Sequence, residues 1–171
     1  ANLSSRKPTT YSISQFVVGF WEGQVNQLRK EVVRLFEAYA PVWFEKGAWR
    51  KVPQLRAIPI GEAIPITSEV TPYEQIEHIL RSKHSIAVRN CVCRQERELA
   101  GEGCGKPLET CLSFDGAALN TARSGVGRLI TVEEALDIVE QAKRAGLVLQ
   151  PANSQNPIFV CMCCSCCCGV L

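Results

Sequence analysis

The chain has 171 residues, 46% of them hydrophobic, and a net charge of only +2. That is enough apolar material for a buried core in one or two domains, and too little charge for a bulk electrostatic case for nucleic acid or an anionic membrane surface. No apolar run reaches membrane-spanning length. Ten cysteines in an otherwise ordinary globular composition point to a metal-binding protein in a reducing compartment; with no apolar signal segment in view, the cytoplasm is expected.

Residues 1–10 are polar and aperiodic and read as an arm or linker. Residues 11–21 are rich in aromatics suited to a groove or a partner. Over residues 22–39 the positions Val25, Leu28, Val32, Leu35, Phe36 and Tyr39 recur at three- and four-residue steps, predicting an amphipathic helix that stops at Pro41. Trp43, Phe44 and Trp49 then read as core aromatics. Pro53, Pro59 and Pro65 exclude a central strand and predict an extended, edge-like segment or small hairpin. Thr71-Pro72-Tyr73-Glu74 has the form of a capping box opening a helix with Ile76, Ile79 and Leu80 on its apolar face. His78 and His84, the only histidines, read as surface or satisfied core residues rather than ligands. Residues 85–92 predict a short strand leading into Cys91 and Cys93.

Residues 94–130, rich in glycine and polar side chains, read as loop, and Gly125-Val126-Gly127 as a turn rather than a dinucleotide site. Thr131 to Glu134 is a second capping box, opening a helix with Val132, Ala135, Leu136, Val139 and Ala142 on one face and Gly146 after its end. Residues 147–149 and 158–160 predict strands. The fold class expected is α+β, a small mixed sheet with amphipathic helices and the cysteine groups on loops at strand ends. Residues 1–50 form a helical, aromatic N-terminal part and 51–171 the cysteine-bearing domain.

The cysteines fall into two groups. Cys91, Cys93, Cys104 and Cys111 are loosely spaced; Cys161, Cys163, Cys164, Cys166, Cys167 and Cys168 crowd the end of the chain. Disulfides between sequence neighbours strain the intervening peptide. Zinc sites usually come as paired knuckles, which a Cys-x-Cys followed by gaps of ten and six residues fits poorly. Iron–sulfur ligation is favoured, because clusters take four thiolates and three CxxC steps occur in the tail; zinc is the runner-up. The first four thiols would fill the valence of one [4Fe–4S] cluster. Arg89, Arg94, Arg97 and Lys106 are near enough in sequence to balance its charge, and Gly101, Gly103 and Gly105 to fold tightly and offer amide donors. Arg94, Gly103 and Gly105 are thus candidate cluster-contacting residues. The tail has two thiols more than one cluster needs, and an alternative in which tail cysteines complete the site begun at Cys91 and Cys93 stays open.

The run from Phe16-Val17-Val18-Gly19 through Pro72-Tyr73-Glu74, the C-x-C-R…C…C group, Gly127-Arg128-Leu129-Ile130-Thr131-x-Glu133-Glu134-Ala135-Leu136 and the closing CxCCxCCCG resemble a family of anaerobic ferredoxin-like 4Fe–4S proteins. Longer members of that family resemble this chain in their middle, between a winged-helix-like and a ferredoxin domain. The resemblance implies electron transfer by a fragment, a natural short form or one subunit of an oxidoreductase complex. The function expected is a relay through two [4Fe–4S] clusters to a redox partner protein or a missing ferredoxin domain. The alternatives are a redox- or oxygen-sensing module with a labile cluster or zinc, and a catalytic non-cubane cluster in the tail. Residues 16–21 and 169–171 are the expected docking surfaces, with the tail cluster near the surface and the first cluster more enclosed.

Overall fold

A computed structural model describes residues 19–46, 53–58 and 75–171. The expectations for the polar arm, most of the 11–21 stretch, Trp49, Pro59, Pro65 and the capping box at Thr71 lie outside the described residues.

In chain order the elements are α1 (Lys30–Lys46), α2 (Ile76–Arg81), β1 (Ile86–Asn90), α3 (Val92–Ala100), β2 (Glu109–Phe114), α4 (Asp115–Arg123), β3 (Gly127–Ile130), α5 (Val132–Arg144), β4 (Val148–Pro151) and β5 (Phe159–Cys163). The strands form one sheet in the order β3-β1-β2-β5-β4. The class is α+β, but the sheet expected to be mixed is antiparallel throughout: every strand runs opposite to each neighbour it pairs with. Leu55 and Ile58 bridge to Ala152 and Leu149, so the proline-flanked segment does lie extended along the β4 edge.

α5 shows how local chemistry sets an element. The Thr131 hydroxyl accepts from the Glu134 amide at 3.1 Å, satisfying one orphan N–H of the first turn. Glu133 and Glu134 sit at the positive end of the helix, Lys143 and Arg144 at the negative end. Ala135, Ile138, Val139 and Ala142 recur at helical spacing and are buried. With α2 they cover one sheet face, where Val88, Leu112, Phe114, Leu149, Val160 and Met162 are almost fully inaccessible. Burying each such side chain contributes about 1.5–3 kcal/mol relative to leaving it exposed.

α4 covers part of the opposite face, where the Ser113 and Thr121 hydroxyls meet at 3.0 Å. The remainder of that face is the floor of the site described below. The span 94–130, expected to be loop, is largely regular: α3, β2, α4 and β3 lie in it. Gly101, Gly103, Gly105 and Gly125 fall between elements, whereas Gly116 lies in α4 and Gly127 in β3. Gly101 (φ +85) ends α3, its N–H bonded to the Arg97 and Glu98 carbonyls.

α1 corrects a second expectation. The chain at residues 22–24 makes only a 3-10 turn, the helix begins at Lys30, and it runs through Pro41 to Lys46. An interior proline costs about 3 kcal/mol through its missing donor and ring clash. Packing of Trp43, beyond it, against the cluster of Trp21, Val25, Val92 and Val126 offsets that cost. The buried stripe is also rotated: Val33 is buried, whereas Leu35 is 72% exposed and Val32 and Tyr39 are exposed too. Among the described residues, no helix is long and apolar enough to cross a membrane.

Candidate metal centre

Strand alternation builds the floor of the site. On β5, Val160 and Met162 enter the core, so Cys161 and Cys163 project from the other face. Cys161 lies directly opposite Cys111 on β2 and Gln150 on β4, and Cys111 lies opposite Arg89 on β1. Arg89, Cys111, Cys161 and Gln150 thus form one row across four strands. α3 supplies the wall: Cys91 is its N-cap residue and Cys93 lies in its first turn. After β5 the chain turns sharply, the Cys167 and Cys168 amides donating to the Cys164 carbonyl at 3.3 and 3.0 Å.

That turn sorts the ten thiols differently from their order in the sequence. Cys104, Cys164, Cys166 and Cys167 converge with all four sulfurs within 4.8 Å of one another. Cys104 and Cys164 are 4.0 Å apart, Cys166 and Cys167 3.9 Å. Cys164 and Cys167 are buried, Cys104 is half-buried and Cys166 is exposed. The other six, Cys91, Cys93, Cys111, Cys161, Cys163 and Cys168, line a single cavity together with Arg89 and Thr110. Grouping by sequence therefore places Cys104 on the wrong side. Cys161, Cys163 and Cys168 join Cys91, Cys93 and Cys111 because β2 pairs with β5.

Two guanidiniums serve the thiols. Arg94 is 3% exposed; it donates to the Met162 carbonyl at 3.2 Å, to the Thr110 hydroxyl and to Cys164 Sγ at 3.7 Å. Cys91 and Cys163, in the cavity group, also act on its charge, so Arg94 stands between the two groups. Arg89 Nε donates to Cys111 Sγ at 3.5 Å, and its Nη1 to the Glu22 carbonyl at 3.2 Å. The Cys161 thiol, donating to Cys111 and helped by Arg89, holds Cys111 down to about 5. Cys163 and Cys93 do the same for Cys168, bringing it to about 2. A hydrogen bond from Cys93 lowers Cys91. Of the thiols that give those protons, Cys93 and Cys161 are pushed up by the hydrogen bonds they donate and by burial; Cys163 is raised too, a lowering bond from Cys161 being outweighed by its bond to Cys168 and by burial. In the four-thiol group burial raises Cys104, but the Lys106 amide and the neighbouring thiols outweigh it and bring it to about 7. Half-ionised thiols sharing protons in this way release those protons when a cation replaces them.

The other residues singled out in the sequence divide. Gly105 (φ +68) takes the left-handed turn that returns the Lys106 amide to Cys104. Gly103 packs against the Glu98 carboxylate. Arg97 pairs with Glu102 at 2.6 Å and Glu37 at 3.8 Å, and Lys106 donates to the Ala145 carbonyl at 2.7 Å, so neither ammonium nor guanidinium meets a sulfur there. His78 and His84 are exposed, and neither belongs to the four-residue ligand group. Of the expected docking residues, Trp21 is buried and Gly169 abuts the Phe44 ring on α1. Sequence reasoning missed Glu22 and Glu96. Both are buried carboxyls, and a glutamate on a helix carries no local signal of burial. Burial raises Glu22, while it takes Glu96 up to about 7 against a lowering bond from Trp21 Nε1 (3.2 Å).

An antiparallel α+β fold carrying four cysteine sulfurs this close defines a protein able to hold a metal ion. No protein-family model, curated protein or solved structure matches the chain.

Proposed function

We propose that the protein is an iron–sulfur electron carrier, with one cluster in each thiol group, that passes electrons to a redox partner. The observation that carries this reading is Arg94. It is a fully charged side chain buried among sulfurs, and its hydrogen bonds reach two oxygens and a thiol but no carboxylate. A buried cation is costly unless an anion compensates it; the thiolates around it supply that anion, and metal binding would keep the full set deprotonated.

The donor chemistry suits the group, since a cluster takes four thiolates and each thiol group has at least four. Cys104, Cys164, Cys166 and Cys167 would hold one cluster; four of Cys91, Cys93, Cys111, Cys161, Cys163 and Cys168 would hold the other. When bound, such clusters supply reversible one-electron chemistry. The chain's own contribution is to orient the thiols on the sheet floor, to balance charge with Arg89 and Arg94, and to donate the Lys106 amide to Cys104. The resemblance of the cysteine motifs to anaerobic ferredoxin-like proteins supports the same reading, and the exposure of Cys166 suits approach by a partner. The test is anaerobic reduction and reoxidation followed by absorbance and paramagnetic resonance. Reversible bleaching is expected; loss of the chromophore on first reduction favours a sensor instead.

One observation favours a second reading for the four-thiol site. A tetrahedral ion with metal–sulfur bonds of about 2.3 Å sets its sulfurs about 3.8 Å apart. The 3.9 and 4.0 Å separations lie close to that, whereas a cubane, with its irons spread over alternate corners, sets them wider. A single zinc or iron ion there, without sulfide, is that reading.

A further inference from the structure

The six-thiol cavity holds two more thiols than one cluster takes, and the sheet singles out which two. The Phe114 amide donates to the Ile158 carbonyl at 2.9 Å, so these residues form a hydrogen-bonded pair where β2 meets β5. Along an antiparallel ladder such pairs alternate with non-hydrogen-bonded ones. Cys111 and Cys161 lie directly opposite each other, three steps further along, and are therefore a non-hydrogen-bonded pair. Pairs of that kind bring their Cα atoms to about 4.5 Å and their side chains together on one face. That separation falls within the Cα range of disulfides, about 4.4–6.8 Å. A cubane, with its irons on alternate corners, holds its thiolates wider.

The remaining four thiols are joined to one another. Cys91 is hydrogen-bonded to Cys93, and Cys168 to both Cys93 and Cys163. Donors of the kind that hold cluster sulfurs reach this set: the Arg94 amide meets Cys91, and the Val170 and Leu171 amides meet Cys168. Cys111 instead accepts from the Cys161 thiol and from Arg89 Nε, the latter at 3.5 Å. A guanidinium beside one sulfur of a facing pair is a charge partner for the thiolate that disulfide reduction leaves behind. We propose that Cys111 and Cys161 are a redox-active dithiol, and that Cys91, Cys93, Cys163 and Cys168 hold the adjoining cluster. This deepens the electron-carrier reading and rests on it: electrons reach the pair singly by way of that cluster and are stored there two at a time. Reduction breaks the Cys111–Cys161 S–S bond with two electrons and one proton. The proton ends on Cys161 and the negative charge on Cys111, against Arg89. Oxidation is the reverse: the S–S bond re-forms, the proton leaves Cys161, and the redox partner takes the two electrons one after the other.

The full chain, purified without oxygen, is oxidised with thionin, an outer-sphere acceptor, and divided. One portion is titrated with dithionite. The parent is expected to take up about four electrons, one for each cluster and two for the disulfide. Cys111→Ser and Cys161→Ser take up about two and keep the parent's iron, whereas Cys91→Ser and Cys163→Ser lose about half of it. Circular dichroism confirms that each variant compared is folded. The second portion is denatured in the presence of iodoacetamide, and fragmentation mass spectrometry looks for a Cys111–Cys161 link, a readout that needs no variant. Iron loss in Cys111→Ser or Cys161→Ser as large as in Cys163→Ser makes the pair ligands and overturns the proposal. Intact iron with neither the link nor the additional electrons also overturns it. A parent chain without iron refutes the electron-carrier reading instead, and the link, read on the same sample, still decides whether the disulfide forms.

Discussion

Replacing Arg94 with methionine separates an anionic thiol centre from a set of neutral thiols by the size of its effect. The side chain is 3% exposed, and its guanidinium bonds the Met162 carbonyl, the Thr110 hydroxyl and Cys164 Sγ. If the sulfurs around it carry charge, the substitution breaks a buried ion pair, a loss of about 3–5 kcal/mol. Leaving buried oxygens without their donor costs about 1–3 kcal/mol each, a loss that overlaps with the first rather than adding to it. A chain of this size loses about 2–4 °C in melting temperature per kcal/mol, so the fall expected is roughly 6–20 °C. Anaerobic thermal unfolding of the metal-loaded protein measures it, with Arg94→Lys as a variant that keeps charge but loses the fork and falls between. If the thiols are neutral, removing an uncompensated buried charge is itself favourable and offsets the orphaned oxygens, so little or no fall is expected. An unchanged or raised melting temperature in Arg94→Met would refute the reasoning.

Three further outcomes follow from the geometry. Cys104→Ser and Cys167→Ser are expected to deplete the same metal, so the double variant loses no more than either single one, whereas Cys104→Ser with Cys91→Ser loses the sum; metal analysis per chain decides between this and the sequence-order grouping. Gly127→Ala places a methyl group against the Val88 carbonyl oxygen and 2.7 Å from Thr121 Cγ2, and should destabilise by about 1–3 kcal/mol, read as a lower denaturant midpoint. Glu96, raised to about 7 in the folded chain from an ordinary 4.5, binds more protons folded than unfolded between those values. Stability therefore falls as pH rises through that window and stays level above it. Glu96→Gln removes this dependence and gains on the order of 1 kcal/mol at pH 8 relative to pH 5, after allowance for solvent screening; an identical pH profile in parent and variant contradicts the assignment.

Legibility in the sequence tracked how local each determinant is. The Thr131 N-cap, the apolar spacing of α5 and the strands entering the tail depend on near neighbours, and the structure has them as expected; of the capping box only the Thr131 half forms, because the Glu134 carboxylate pairs with Arg128. β2 and β3 were hidden because flanking glycines and polar residues lower local strand propensity, while pairing with β1 across the sheet decides the matter. Pro41 reads as a stop because the penalty is local and the compensating packing of Trp43 is not. All ten thiols were visible as a chemical inventory, and Arg89 and Arg94 as their counter-charges. The sorting was not visible: Cys104 crosses to the tail, and Cys161 comes beside Cys111, through a pairing between strands some fifty residues apart in the sequence. Glu96 and Trp21 meet across 75 residues and so left no trace in any window.

The central claim, that thiol-bound iron–sulfur clusters carry electrons here, meets its most direct test in the composition of protein purified without oxygen. Iron, acid-labile sulfide and zinc are measured per chain on one sample. Two four-iron clusters predict iron and sulfide each near about eight, with zinc negligible. About four of each, with one equivalent of zinc or of extra iron, would assign the single ion to the four-thiol site and leave one cluster in the cavity. Zinc without sulfide contradicts the account.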